Sequence, residues 1–326
     1  MTLDADIAAF LARPPAAQPA SLEAIRAETD RVLLTLQGAP EAVDRIEDLS
    51  ADSPASDAAV PVRAYWPAGS ARGQALPALV FGHAGGWCLV SLKTYDTPCR
   101  ALANATGCVV FSVDYRLAPE HPYPIPLEDF YRALLWVADH AETLGIDASR
   151  ITVAGDSAGA NLAAGAALLA RDRGGPRIAH QLLIYPPVDT DLGTASYEAF
   201  ADGYYLTRET MRFCWEAYLG ERLASPPIYA APLRADLSSL PPATVMVSEC
   251  DPLRSEGEAY ARKLEESGVP TNLILLEGMV HGCIHMAGVA PAAAGLFARA
   301  GEAVRAGLRS TPSVIAASEK RTATGN

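Results

Sequence analysis

The chain has 326 residues, half of them hydrophobic and a fifth charged, with a formal net charge of −12. That composition is globular, and the negative balance argues against nucleic acid or an anionic membrane surface as a partner. No apolar run reaches the roughly 18 residues of a membrane span, and the stretch from Met1 to Leu11 carries Asp4 and Asp6 without a basic segment, so no signal peptide is expected.

Residues 1–50 are Ala-rich and punctuated by Pro14, Pro15 and Pro19. Ser21 is placed to cap a helix with Ala24, Ile25 and Val32 among its apolar positions, and no core-type strand pattern follows it. Alternation over 60–66 predicts a strand, 69–73 a turn, and the apolar run 76–81 a second strand ending at Gly82-His83-Ala84-Gly85-Gly86-Trp87. Helical spacing over 94–105, a buried strand over 108–113 and a helix over 127–140 come next. Pro122, Pro124 and Pro126 form a rigid loop between the last two.

The β-branched run Ile151-Thr152-Val153 predicts a short buried strand, and the small-residue run 158–170 a tightly packed helix. Between them stands Gly155-Asp156-Ser157-Ala158-Gly159. A serine between two glycines, with strand before and helix after, is the nucleophile-elbow pattern; the bland alternative is a serine capping an ordinary helix. A strand over 178–184 follows. Tyr- and Pro-rich loops then surround one helix, 208–219, before strands at 243–247 and 271–276 and helices at 256–266 and 291–308. Strands alternating with helices predict an α/β fold with a mostly parallel, doubly wound sheet and helices on both faces. Ligands bind such sheets at the carboxyl ends of the strands.

A serine hydroxyl needs a histidine to take its proton, and that histidine needs a carboxylate to fix its tautomer. On this kind of sheet the order along the chain is serine, acid, histidine. His281 lies after the strand 271–276, at its carboxyl end. His180 precedes a strand and is expected to be structural. His285 lies one helical turn beyond His281, but no third ligand accompanies the pair, so no metal site is expected. After the strand 243–247 stand Glu249 and Asp251. Asp251, before Pro252-Leu253-Arg254, is the expected carboxylate, with Glu249 the fallback and a helix cap the bland alternative for Asp251. Backbone donors for an oxyanion are expected from Ala158 and from the glycine-rich loop His83-Ala84-Gly85-Gly86. His83 precedes the serine and is expected to order that loop. Cys88, Cys99, Cys108, Cys214, Cys250 and Cys283 are scattered, without a paired-cysteine motif, and read as free thiols of a reducing cytoplasm.

Taken together, Gly155-Asp156-Ser157-Ala158-Gly159, Asp114-Tyr115-Arg116-Leu117-Ala118-Pro119-Glu120, Asp251-Pro252-Leu253 and His281-Gly282 resemble the hormone-sensitive lipase family (bacterial family IV esterases) of α/β-hydrolases, over roughly residues 60–305. The resemblance implies a serine carboxylesterase acting on short- to medium-chain acyl esters through an acyl-enzyme, with Ser157, Asp251 and His281 catalytic. Gly85, Gly86 and Ala158 would form the oxyanion hole. It implies no cofactor and no metal, and a small-molecule ester as partner; a homodimer is left open. Residues 1–50 and 188–237 would cap a core formed by 51–187 and 238–310, with a flexible tail at 311–326. One departure stands out: the family's HGGG loop reads His83-Ala84-Gly85-Gly86 here, and alanine restricts φ. Trp87, Tyr185, Tyr205 and Phe213, with Tyr204, Met211 and Trp215, are candidates for an apolar substrate pocket or, equally, for core. Two rivals remain: an amide hydrolase of the arylformamidase type, and a non-catalytic small-molecule receptor on the same scaffold.

Overall fold

A computed structural model describes residues 2–13, 21–52, 59–70, 73 and 75–310. Pro14, Pro15, Pro19, part of the turn expected at 69–73 and the tail expected at 311–326 lie outside them. In chain order, helices α1 (Ala5–Leu11) and α2 (Leu22–Leu36) precede strands β1 (Arg45–Ala51), β2 (Val60–Trp66) and β3 (Leu76–Gly82). Then come α3 (Asp96–Thr106), β4 (Val109–Val113), α4 (Ile125–Asp139), the one-turn α5 (Ala141–Leu144), β5 (Ile146–Asp156), α6 (Ala158–Arg173) and β6 (His180–Ile184). After the short α7 (Ala195–Ala199) and α8 (Arg208–Leu219), the pattern resumes with β7 (Ala243–Cys250), α9 (Arg254–Glu266), β8 (Thr271–Val280) and α10 (Gly295–Ser310).

The eight strands form one sheet in the order β1-β2-β4-β3-β5-β6-β7-β8. β2 is antiparallel to both β1 and β4, and every other neighbouring pair is parallel. The central strands are covered on both faces, which is why they read as continuous apolar runs rather than alternations. Helices α4, α6, α8 and α9 share one hydrophobic cluster with the sheet, and α1, α2, α3 and α10 belong to a second.

Local chemistry sets the helix ends. Ser21 Oγ accepts the Ala24 N–H at 3.2 Å, and Thr207 Oγ1 accepts the Thr210 N–H at 3.0 Å. At the other ends, α3 and α6 stop at Gly107 and Gly174, both left-handed.

The N-terminal fifty residues differ from the sequence expectation. Their last part is β1, an edge strand of the main sheet, so the expected arm is shorter than 1–50. Burial alternates over the last five residues of β1, Glu47 to Ala51, but Glu47 stands on the less exposed side and Ile46 on the other, so the apolar residues themselves do not alternate. Cross-strand pairs hold it instead: Asp48 opposes Arg63 and bonds it at 2.6 Å, and the Arg45 guanidinium lies 3.5 Å over the ring of its partner Trp66.

Candidate active site

The site grows from the end of β5. Ser157 has φ 52° and ψ −123°, in a region that side-chain-bearing residues avoid at a cost of about 1–3 kcal/mol. Its surroundings impose that geometry. The Ser157 N–H donates to Ile184 O on β6 at 2.8 Å. A Cβ on Gly155 would lie 2.3 Å from the Gly159 carbonyl carbon, and one on Gly159 would lie 1.9 Å from Gly82 O. Two glycines therefore let the first turn of α6 press on the ends of β3 and β5, with Ser157 at the apex and the helix N-terminus beneath it.

His281 and Asp251 arrive from the next strand ends. His281 Nε2 lies 2.8 Å from Ser157 Oγ, and His281 Nδ1 lies 2.8 Å from Asp251 Oδ2. Asp251 is fully buried, and its other oxygen accepts the Leu253 N–H at 2.9 Å. A carboxylate accepts only, so Nδ1 carries the proton, and Nε2 presents its lone pair to the serine hydroxyl. Glu249 stands apart: its Oε2 accepts the Gly278 N–H at 2.8 Å.

Three buried histidines, His83, His180 and His285, are neutral and structural. Burial pushes His83 down to about 4; its ring stacks on Tyr115 at 4.2 Å, and its Nδ1 lies 3.0 Å from Ala84 O. His180, also pushed down to about 4 by burial, has Nε2 3.1 Å from Thr244 Oγ1. His285 lines the same cavity as His281, and its Nδ1 lies 2.8 Å from the Gln37 side-chain amide. Among the described residues, no group of His, Cys, Asp and Glu could hold a metal ion.

The glycine-rich loop after β3 faces the serine. Ala84 is not among the residues with positive φ, and its N–H donates to Tyr95 Oη at 3.0 Å. The alanine in place of glycine thus sits where no left-handed conformation is required. Gly85 (φ 90°) and Gly86 (φ 57°) do need one, and their N–H groups, with that of Ala158, have no acceptor among the described residues. Tyr115 Oη clamps the loop by donating to His83 O at 2.8 Å.

Beneath the elbow lies a polar group to which the sequence reading gave no role. Asp156 is fully buried, and its Oδ2 accepts hydrogen bonds from Tyr95 Oη at 3.0 Å and Tyr185 Oη at 3.1 Å. Burial pushes its carboxyl up to about 7, while the two hydroxyls and the neighbouring His281 pull the other way. The elbow motif contains Asp156, but nothing in the sequence links it to Tyr95.

Ser157 and His281 open into a cavity of about 210 Å³. The arm contributes Thr29 and Leu33, the glycine-rich loop region Leu89 and Val90, and the 188–237 segment Tyr205, Leu206, Thr210, Met211 and Cys214. Of the four aromatic residues expected to line it, only Tyr205 does. Trp87 is buried behind the loop against Tyr218 and Trp215. Tyr185 lies under His281, rings 4.6 Å apart, with its hydroxyl on Asp156. Phe213 is on the outer face of α8, 45 % exposed. Of the further candidates, Met211 lines the cavity, while Tyr204 and Trp215 do not. Aromatic residues near a motif in sequence pack just as well behind a pocket wall as on it.

Residues 79–285 match a protein family described as having the alpha/beta hydrolase fold. The chain is 46 % identical over 239 residues to carboxylesterase NlhH of Mycobacterium tuberculosis, covering 72 % of this chain and 74 % of that protein. It is 34 % identical over 304 residues to an ethyl acetate hydrolase of Pseudomonas putida, covering 89 % and 94 %. Its fold is similar to the crystal structure of a thermostable esterase from Pseudomonas putida, with a TM-score of 0.88 and 34 % identity, covering 94 % of this chain and 98 % of that one.

Proposed function

This chain belongs to the alpha/beta hydrolase fold family, in its hormone-sensitive lipase (bacterial family IV) branch, and is a carboxylic ester hydrolase; from that premise we propose that Ser157, His281 and Asp251 carry the reaction on short- to medium-chain acyl esters. The observation that carries the assignment is the relay of two 2.8 Å contacts, Asp251 Oδ2 to His281 Nδ1 and His281 Nε2 to Ser157 Oγ, with Ser157 and His281 on the wall of the cavity. Ser157 Oγ attacks the ester carbonyl carbon as its proton passes to His281 Nε2. The carbonyl oxygen becomes an oxyanion facing the N–H groups of Gly85, Gly86 and Ala158. The intermediate collapses to an acyl-serine. The alkoxide takes the proton from His281 Nε2 and leaves as the alcohol; a water then gives its proton to the same nitrogen as it attacks the acyl carbon, and Ser157 Oγ departs with that proton, releasing the acid. Asp251 stays ionised and holds the imidazole in the productive tautomer.

The short-chain preference rests on the cavity's size and on its walls from two directions, the arm and the 188–237 segment, which together we read as the cap. A small-molecule ester is the partner. The net charge of −12 speaks against nucleic acid, and six free, buried cysteines fit a cytoplasmic location. Among the described residues, no helix is long and apolar enough to cross a membrane. The test is a panel of p-nitrophenyl esters from acetate to palmitate beside a formyl-anilide. Highest kcat/KM on the shortest members is expected. A faster formyl-anilide would transfer the assignment to amides, and a faster palmitate would overturn the bounded pocket.

A further inference from the structure

The loop that carries Gly85 and Gly86 is held in a conformation that its own sequence disfavours. Besides the two glycines, Trp87 (φ 61°) and Val90 (φ 67°) sit in the left-handed region, which side-chain-bearing residues occupy only where surrounding structure imposes it. The anchors on the core side, Tyr95 and Tyr115, grip Ala84 and His83, upstream of the two glycine N–H groups. Downstream, the backbone is tied by the Cys88 and Leu89 N–H groups to Gly85 O at 3.0 and 2.9 Å and by the Ala118 N–H to Trp87 O at 2.9 Å, and α8 supplies the anchor for the Trp87 side chain. The Trp87 indole lies flat on the Tyr218 ring, centroids 4.3 Å apart and planes 6° apart, and tilts against Trp215 at 4.4 Å. One turn earlier on α8, Cys214 covers Gly86 so closely that a Cβ there would lie 2.2 Å from its Sγ. Trp87 Nε1, Trp215 Nε1 and Tyr218 Oη have no hydrogen-bond partner among the described residues, so the grip is one of ring packing.

We infer that α8, besides roofing the cavity, is a positioning element for the oxyanion donors, and that Trp87 is the side chain through which it acts. This rests on the reading of Gly85 and Gly86 as those donors. With the ring of Tyr218 in place, Trp87 is locked and the Gly86 N–H faces the serine. Without it, Trp87 relaxes toward negative φ and turns the Gly86–Trp87 peptide, and through Gly86 Cα that turn passes to the Gly85–Gly86 peptide that bears the donor. Substrate in its ground state hardly senses that peptide, whereas the oxyanion of the transition state does.

Tyr218→Ala, Tyr218→Phe and Trp87→Leu test this. Rates are taken per active site, counted by organophosphate titration, with p-nitrophenyl butyrate as substrate. A trifluoromethyl ketone, whose carbonyl carbon bonds to Ser157 Oγ while the serine proton passes to His281, reports oxyanion binding. The matching methyl ketone reports ground-state binding. Tyr218→Ala and Trp87→Leu are expected to lower kcat by roughly 10-fold or more, up to the 10²–10³ typical of losing one oxyanion donor. They should weaken the trifluoromethyl ketone by a similar factor, while KM and the methyl ketone move by less than about 2-fold, as expected for an interaction made only in the transition state. Tyr218→Phe keeps the ring and loses only an unpartnered hydroxyl, so it should behave as wild type. The inference is overturned if the ratio of the two ketone affinities stays at its wild-type value in whichever of the two disruptive variants folds, or if Tyr218→Phe is as damaging as Tyr218→Ala. Absence of turnover in the wild-type protein would count instead against the esterase reading.

Discussion

Asp251→Asn exchanges one oxygen for an NH2 group of nearly the same size, and the structure dictates which way the amide faces. Asp251 Oδ1 accepts the Leu253 N–H at 2.9 Å, so an oxygen must stay there. The NH2 then takes the Oδ2 position, 2.8 Å from His281 Nδ1. Facing a donor, Nδ1 must give up its proton and accept. The imidazole proton moves to Nε2, where the lone pair that should receive the serine proton is lost. In a serine protease the same exchange lowers kcat by about 10⁴, which corresponds to roughly 5.5 kcal/mol of barrier. A loss of that order is expected here for p-nitrophenyl butyrate, measured with the near-UV circular dichroism unchanged. Glu249→Gln, whose partner is the Gly278 N–H, should cost far less. A variant Asp251→Asn with more than a tenth of wild-type kcat, or a Glu249→Gln more crippled than it, would refute the tautomer argument.

Two further outcomes follow from groups around the elbow. The Asp156 carboxyl is raised from 3.8 to about 7 in the folded protein, so its contribution to stability is present below about pH 4 and is lost as pH rises through 7, by a few kcal/mol in order of magnitude. Asp156→Asn, which does not ionise, should flatten the urea-midpoint profile between those pH values; an unchanged slope would show that Asp156 ionises as in the unfolded chain. Gly159→Ala places a methyl group 1.9 Å from Gly82 O, where only backbone movement can relieve it. It should cost roughly 3 kcal/mol or more of stability, at the upper end for overpacked sites, and a melting temperature within a few degrees of wild type would contradict the packing of the elbow.

Legibility in the sequence followed the physics of each segment. β4, β6 and α8 were plain because β-branched or helical periodicity reports burial directly, and the elbow because only glycine fits on either side of Ser157. β1 was missed because an edge strand held by Asp48–Arg63 and Arg45–Trp66 pairs leaves no apolar period to read. Ser157 is legible from its elbow, and His281 and Asp251 from their places after strand ends; the fold brings the three, distant in sequence, within hydrogen-bonding distance. Pocket lining was the least legible. Trp87, Tyr185 and Phe213 were expected there as aromatic residues near motifs. One packs behind the loop, one lies under the histidine, and one faces solvent. Conversely, Thr29, Leu33 and Cys214 carry no signal that would mark them as pocket wall. The link from Asp156 to Tyr95 and Tyr185 depends on side-chain directions that no periodicity encodes.

The covalent role of Ser157 is tested most directly by diethyl p-nitrophenyl phosphate labelling followed by peptide mass mapping, run on the wild type and on Ser157→Ala. One phosphoryl group on the peptide containing Ser157, with turnover lost in proportion, is expected for the wild type. Ser157→Ala should take no label and lose activity by several orders of magnitude, on the order of 10⁴–10⁶, because the members of a triad act as a unit. Label on another residue, together with turnover surviving in Ser157→Ala, would contradict the assignment.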